Sequence, residues 1–97
     1  MRKTFDLTHP RIRPDRLVEA ARRDVNAYLK RERRKTLPDG VDFWDFDCRF
    51  GPTAEAAKTV HVEELRACIT AAQAQQLTSF YVEIVAKAGH RRKKPRE

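Results

Sequence analysis

A run of basic residues near the end of a predicted helix is the clearest candidate for chemistry in this chain. The run is Lys30-Arg31-Glu32-Arg33-Arg34-Lys35, and Arg22 and Arg23 precede it. Cations spaced along one helix face can contact successive phosphates of a nucleic-acid backbone. A run of this kind can equally form a solvated helix face, so the sequence leaves both interpretations open.

Charge is sorted along the whole length of the chain. The 97 residues carry a net charge of +7, with net +7 in residues 1–35, net −4 in residues 36–88 and net +4 in residues 89–97. This distribution indicates a polyanionic partner that meets one surface. The candidate phosphate-binding residues are Arg22, Arg23, Lys30, Arg31, Arg33, Arg34 and Lys35 of the helix, with Arg91, Arg92, Lys93 and Lys94 of the tail.

A second candidate site is a set of acidic residues predicted on the solvent-facing side of a sheet. The set is Asp6, Asp45, Asp47, His61 and Glu83. Carboxylates with one imidazole are suitable ligands for Mg²⁺, Mn²⁺ or Zn²⁺. The favoured interpretation is an exposed sheet face whose acids are balanced by Arg49, Lys87 and Lys3, because the metal site depends on strand register. A metal-dependent hydrolase is therefore only a weaker alternative.

Other enzyme classes find little support in the sequence. The chain has three glycines, all at predicted turns, which excludes the usual phosphate-binding glycine loops. Cys48 and Cys68 are not in a CxxC motif and are interpreted as reduced core thiols. We expect no cofactor, and an enzyme is the less favoured function. Without a secretory signal or a membrane-length apolar run, a cytoplasmic location and no membrane partner are expected.

Hydrophobic periodicity predicts an alternation of strands and helices. Strands are predicted at 4–8, 41–50, 57–62 (weaker) and 79–87, and helices at 15–35 and from 62 or 63 to 76. This order is that of a ferredoxin-like βαββαβ fold of the α+β class. We expect an antiparallel sheet in the strand order 4-1-3-2, with both helices on one face. If residues 57–62 do not form a strand, the expected fold is a three-stranded βαβαβ layer instead.

Residues 1–88 are predicted to form one compact domain, followed by a disordered basic tail at 89–97. Inward positions of the predicted elements give the expected core, with Trp44 at its centre. The core residues are Leu17, Val25, Trp44, Phe46, Phe50, Leu65, Ile69, Val82 and Ile84.

Two segments, KRERRKTLPDGVDFWDFDCRFG and SFYVEIVAKAGHRRKKP, are distinctive. In them the chain resembles a family of small, basic, uncharacterised bacterial proteins, and the resemblance extends over almost the whole length. It implies a bacterial intracellular protein. It implies no activity, cofactor or catalytic residue.

The function expected from the residues is a non-enzymatic nucleic-acid-binding module, with RNA slightly favoured over DNA. The basic helix and tail would contact phosphate with little base specificity, because no motif for reading bases occurs in the sequence. The acidic sheet face would repel phosphate and is not the expected surface. The alternative is an interaction domain for an acidic protein, or self-association of the basic helix with the acidic sheet of another copy.

Overall fold

Apolar residues at alternate positions build the strands, and those at steps of three and four build the helices. The computed structural model describes residues 1–91. The strands are β1 (Arg2–Asp6), β2 (Phe43–Gly51), β3 (Lys58–Val60) and β4 (Ser79–Gly89). The helices are α1 (Pro14–Arg33) and α2 (Leu65–Ala74), and a 3₁₀ turn at Val62–Glu64 leads into α2. The α+β class, the βαββαβ element order and the four-stranded antiparallel sheet are thus confirmed.

The strand order is β1-β4-β2-β3, and all three pairs are antiparallel. The ferredoxin-like character persists because each helix joins two strands that are separated by one other strand. The expected order 4-1-3-2 was nevertheless wrong, since β1 lies at an edge and β4 lies inside the sheet. The physical reason is burial: β4 has eleven residues and buries Phe80, Val82 and Ile84, whereas β1 buries only Phe5 of its five. The longer and more apolar strand gains more from two neighbours.

The core lies between the sheet and the two helices. Phe80 is its aromatic centre, stacked on Phe5 and on Phe50 with both ring-centroid distances at 5.3 Å. Most of the predicted core residues are buried, while Leu17, Trp44 and Phe50 are partly buried and pack against the core. The expected central position of Trp44 was therefore wrong. Its indole Nε1 donates to the Lys35 carbonyl oxygen at 2.9 Å, which places Trp44 beside the end of α1.

Element ends differ from the predicted bounds by a few residues. α1 begins with Pro14 at its first turn and carries Asp15 there, where a carboxylate suits the positive end of the helix dipole. β3 has only three residues and pairs with β2 through Cys48, Arg49 and Phe50. β4 continues to Gly89, which pairs with Phe43. Residues 92–97, which contain most of the predicted tail, lie outside the described residues.

Candidate nucleic-acid interface

The predicted basic residues of α1 lie on two sides of the helix. Arg22, Arg23, Lys30 and Arg33 line the cleft between α1 and α2. Arg31 lies on the other side of α1, in a hollow that it shares with Lys3 and Asp24. Since helical residues repeat every 3.6 positions, only part of a basic run can share one face. The run that the sequence analysis treated as one surface is therefore divided between two sides of α1.

The cleft has an inner part, the inner cavity, of about 300 Å³. Its base is apolar and is formed by Val25, Leu29, Val62, Leu65 and Ile69. Its rim is polar and is formed by Arg22, Asn26, Arg33, Glu63 and Arg66. The base is part of the hydrophobic core, so the polar rim is held on two helices whose opposite faces are fixed by packing.

A wider outer part, the outer groove, has a volume of about 600 Å³. It shares Arg22, Asn26 and Arg66 with the inner cavity, so the two form one continuous site. Its further lining residues are Glu19, Arg23, Ala27 and Lys30. The whole site therefore presents five cations, Arg22, Arg23, Lys30, Arg33 and Arg66, against the two carboxylates Glu19 and Glu63.

None of these five cations forms an ion pair within residues 1–91. Arg22 is half-buried, and its Nε has no hydrogen-bond partner in that part of the chain although the atom is removed from solvent. A buried donor without an acceptor costs about 1–3 kcal/mol. Arg33 instead lies over the ring of Phe46, with its guanidinium carbon 5.4 Å from the ring centroid. An anion in the cleft would supply the acceptors that these donors lack.

Arg66 is the residue of this site that sequence reasoning missed. It follows the 3₁₀ turn, at the start of α2, in a segment whose net charge is negative. Nothing in its local sequence distinguishes it from an ordinary surface arginine. Its part in the site comes only from the packing of α2 beside α1.

The end of α1 and the start of the basic tail lie close together. Trp44, which is hydrogen-bonded to the carbonyl of Lys35, pairs with Ala88 in the sheet. Arg91 donates its backbone N–H to Asp42 at 2.7 Å. Arg34 is exposed near this end, and Lys35 is paired with Glu32 at 2.7 Å. Of the predicted tail residues, Arg92, Lys93 and Lys94 lie outside the described part of the chain.

On the open face of the sheet, opposite the helices, the side chains of Glu83, Asp45 and Asp47 are paired with cations. Glu83 accepts a hydrogen bond from the Tyr81 hydroxyl at 2.9 Å and lies 3.5 Å from Arg2 and 3.9 Å from Arg49. The hydrogen bond to Glu83 raises the pKa of Tyr81 above its ordinary value. Lys87 contacts Asp47 at 2.6 Å and Asp45 at 3.9 Å. Its hydrogen bond to Asp47 raises the pKa of Lys87.

This pairing agrees with the favoured interpretation of the acidic residues, with one correction. Lys3 does not balance the open face, because it pairs with Asp24 of α1 at 3.6 Å. Arg2 takes that place through its contact with Glu83.

The structure brings together only some of the side chains considered as metal ligands. Asp45, Asp47 and His61 line one hollow, together with Glu64, whereas Asp6 and Glu83 do not reach it. In the strand register, Asp6 lies opposite Ser79 at one end of β4. Asp45 lies opposite Lys87, eight residues further along the same strand. At about 3.4 Å per residue these positions are some 27 Å apart. His61, beyond β3, lies across the sheet from Asp6. Among residues 1–91, no group of three or more His, Cys, Asp or Glu side chains is placed to hold a metal ion.

The two cysteines are separate from the cleft's polar rim. Cys48 is buried in β2, and burial raises its pKa to about 11. Cys68 is half-buried on α2, and burial likewise raises its pKa. Both thiols are free in this structure. Neither has the depressed pKa that a reactive cysteine needs.

Comparison with known proteins places the chain in a family without assigning it an activity. Residues 1–95 match the model of a family of unknown function (DUF6172), and the chain belongs to that family. Neither a curated protein nor a solved structure matches the chain. Within residues 1–91, no helix has the length and apolar character that crossing a membrane requires.

Proposed function

We propose that this member of the DUF6172 family binds nucleic acid, and that the cleft between α1 and α2 is the contact surface. The observation that carries the proposal is the convergence of five cations on one cleft without an ion-pair partner in residues 1–91. On the open face of the sheet, by contrast, Lys87 and Arg2 are paired with neighbouring acids. Cations left unpaired at a concave surface are available to phosphate.

The spacing of the cations supports contact with an extended polyanion. Arg23 and Lys30 are seven residues apart on α1, which corresponds to about 10 Å along the helix axis. Phosphates of one duplex strand advance about 3.4 Å per base along the axis. The two side chains can therefore contact phosphates about three steps apart, while Arg66 approaches from α2.

We propose that the exposed cations of the outer groove bind RNA or DNA through charge and do not distinguish one base sequence from another. If four or five of the cleft cations neutralise phosphates, they should contribute about 4 units to the slope with which the logarithm of the affinity for duplex falls as the logarithm of salt rises. The titration uses labelled duplex DNA, structured RNA and single strands at about 50 and 200 mM salt. Failure to bind any of them at the lower salt would overturn the proposal.

A pair of matched variants tests the surface. Arg23→Gln with Lys30→Gln removes two charges from the outer groove, and both side chains are exposed. This variant should reduce the salt slope by about two units and should keep its melting temperature. The control is Arg11→Gln with Arg13→Gln, which removes the same charge before α1 begins. An equal effect of both variants would show general charge attraction and would remove the cleft from the proposal.

An acidic protein partner is the competing interpretation of the same cations. The open face of a second copy is a poorer partner, because Asp45, Asp47 and Glu83 already pair with cations of their own chain. Polyglutamate serves as a peptide-like probe in the same titration. Binding of polyglutamate without binding of any nucleic acid would make the acidic partner the better proposal.

A further inference from the structure

The cleft combines two chemical environments that a phosphate alone does not need. The outer groove is cationic, whereas the inner cavity has an apolar base that includes Val25, Leu65 and Ile69. All three of these side chains are at most 3% exposed, so the base is fixed by the core. Half-buried Val62 is the apolar lining residue that a ligand can reach. A bare inorganic anion would use the groove and leave the inner cavity empty. A purely apolar ligand would leave the arginines unused.

Polar groups stand at the boundary between the two parts. Arg22, Asn26 and Arg66 line both, and Glu63 and Arg33 complete the inner rim. An amide both donates and accepts hydrogen bonds, and a carboxylate accepts from an exocyclic amino group. Guanidinium planes also stack on nucleobases. The rim therefore offers partners for the edge and for the face of a flat heteroaromatic ring.

The size of the inner cavity agrees with a single base rather than a base pair. Its volume of about 300 Å³ is at the lower limit of cavities that enclose a small organic ligand. The cleft is closed on its inner side by the packed side chains of α1 and α2. A duplex presents its bases only at groove edges, so a base can enter the inner cavity only when it is unpaired. The phosphates of a duplex can still contact the exposed cations of the outer groove.

We infer that the cleft binds one unpaired nucleotide of a nucleic-acid strand, with the base in the inner cavity and its phosphate on Arg22, Arg66 and the outer groove. This inference rests on the proposed function and names the unit of the ligand that is recognised. It predicts a preference for single strands over duplex, with the preference supplied by the inner cavity. The charge-dependent part of the affinity remains with the exposed cations.

The first experiment removes the bases of a strand without removing its phosphates. A single-stranded oligonucleotide is compared with the same backbone carrying abasic sites, at constant salt. The abasic strand should bind about fivefold or more weakly, the range expected for loss of one stacked base. Equal affinities, with nucleic-acid binding intact, would overturn this inference and leave the proposed function standing. No binding of either strand or of duplex would overturn both.

The second experiment separates a nucleotide site from a phosphate site and distinguishes a free nucleotide from a strand. Nucleoside monophosphates and inorganic phosphate compete with the labelled single strand at equal concentration. Only the nucleoside monophosphates should displace it. Equal competition by inorganic phosphate would show a phosphate site without a base site. If the monophosphates displace the labelled strand less well than a short oligonucleotide does, the site binds a nucleotide within a strand rather than a free nucleotide.

Filling the inner cavity provides the structural test. Val62→Phe enlarges a half-buried side chain of the cavity base and leaves every charge in place. It should abolish the difference in affinity between normal and abasic strands, and it should lower the affinity for duplex much less, since the exposed cations of the outer groove stay in place. Val85→Phe makes the same chemical change on the open face, where Val85 is 39% exposed, and should change neither.

A second variant keeps the test valid if Val62→Phe does not fold. Asn26→Ala alters an exposed α1 residue that lines both parts of the cleft. It should reduce the difference in affinity between normal and abasic strands. Retention of the full difference in Asn26→Ala and in a folded Val62→Phe would show that the base is not held in this cleft.

Discussion

Glu32 lies among the basic residues that end α1, and its side chain is only 15% exposed. The hydrogen bond from Lys35 lowers the pKa of Glu32 below its ordinary value of 4.5, and a hydrogen bond from Tyr28 acts in the same direction. A carboxylate with a lowered pKa stabilises the folded protein at pH values above its unfolded pKa. That stabilisation is lost as the pH falls through the folded value.

The Glu32→Gln variant should therefore melt at a lower temperature than the wild type near neutral pH. Its melting temperature should also decline less steeply below about pH 4.5, where the wild type loses this contribution. Thermal unfolding followed by circular dichroism across that range measures both effects. Glu55→Gln, at an exposed position between β2 and β3, is the matched control. Identical pH profiles for Glu32→Gln and the control would contradict the stabilising role.

The two cysteines should differ in reactivity in the native protein. Cys48 is 1% exposed with a pKa of about 11, so very little thiolate is present at neutral pH and a reagent cannot reach it. Cys68 is half-buried and should react first. Mass spectrometry after timed alkylation, with Cys68→Ser to isolate Cys48, measures the two rates. Labelling of Cys48 at the rate seen in denaturant would contradict its burial.

At the scale of elements, α2 ends in a turn that its sequence does not favour. Gln76 has a φ of 57°, in the left-handed region. The backbone N–H of Gln76 donates to the carbonyl oxygen of Gln73 at 2.9 Å, and the backbone N–H of Leu77 donates to the carbonyl oxygen of Ala72 at 3.1 Å. These two bonds form a Schellman motif, which usually has glycine at the left-handed position. The cost of this conformation for a residue with a Cβ is about 1–2 kcal/mol.

Gln76→Gly should therefore stabilise the protein by up to about 1 kcal/mol, since glycine avoids the steric cost but adds freedom to the unfolded chain. Urea unfolding with an unchanged m-value measures the gain. Gln75→Gly, one residue earlier and at a negative φ of −81°, is the control and should destabilise instead. A loss of stability in Gln76→Gly would contradict the argument from strain.

At the scale of the whole molecule, charge is divided between two faces. The cleft side presents five cations without ion pairs in residues 1–91, while Asp45, Asp47 and Glu83 of the open face are paired with Arg2, Arg49 and Lys87. Trp44 joins the end of α1 to the end of β4, because it is hydrogen-bonded to the Lys35 carbonyl oxygen and pairs with Ala88. Residues 92–97, which contain four further cations, follow this point in the sequence.

Truncation after Arg91 should weaken polyanion binding and reduce the salt slope by about two to three units, because four cations are removed with one acid. Replacement of those four cations by glutamine at full length should have the same effect. The melting temperature should change little, as expected for a segment without apolar anchors. A marked fall in the melting temperature of the truncated chain would contradict that expectation.

Much of the architecture could be predicted from local patterns. The inward residues Phe46 and Cys48 of β2, and Phe80, Val82 and Ile84 of β4, follow from alternation alone. The position of Trp44 could not, because a strand pattern assigns a face but not a distance from the centre of the core. The cleft was only half predictable, since Arg22, Arg23, Lys30 and Arg33 were named while Arg66 was not.

By itself, the sequence determined the period of each element, the faces that must be buried and the sign of the charge on α1. These properties are set within ten or so neighbouring residues, so they can be derived without knowing the fold. The tertiary structure alone decided that β4 lies between β1 and β2, that Arg66 joins the cleft, and that Asp6 lies far from Asp45. The reason is that neighbours in space are chosen by competition for burial among distant segments, and no local pattern contains the outcome of that competition.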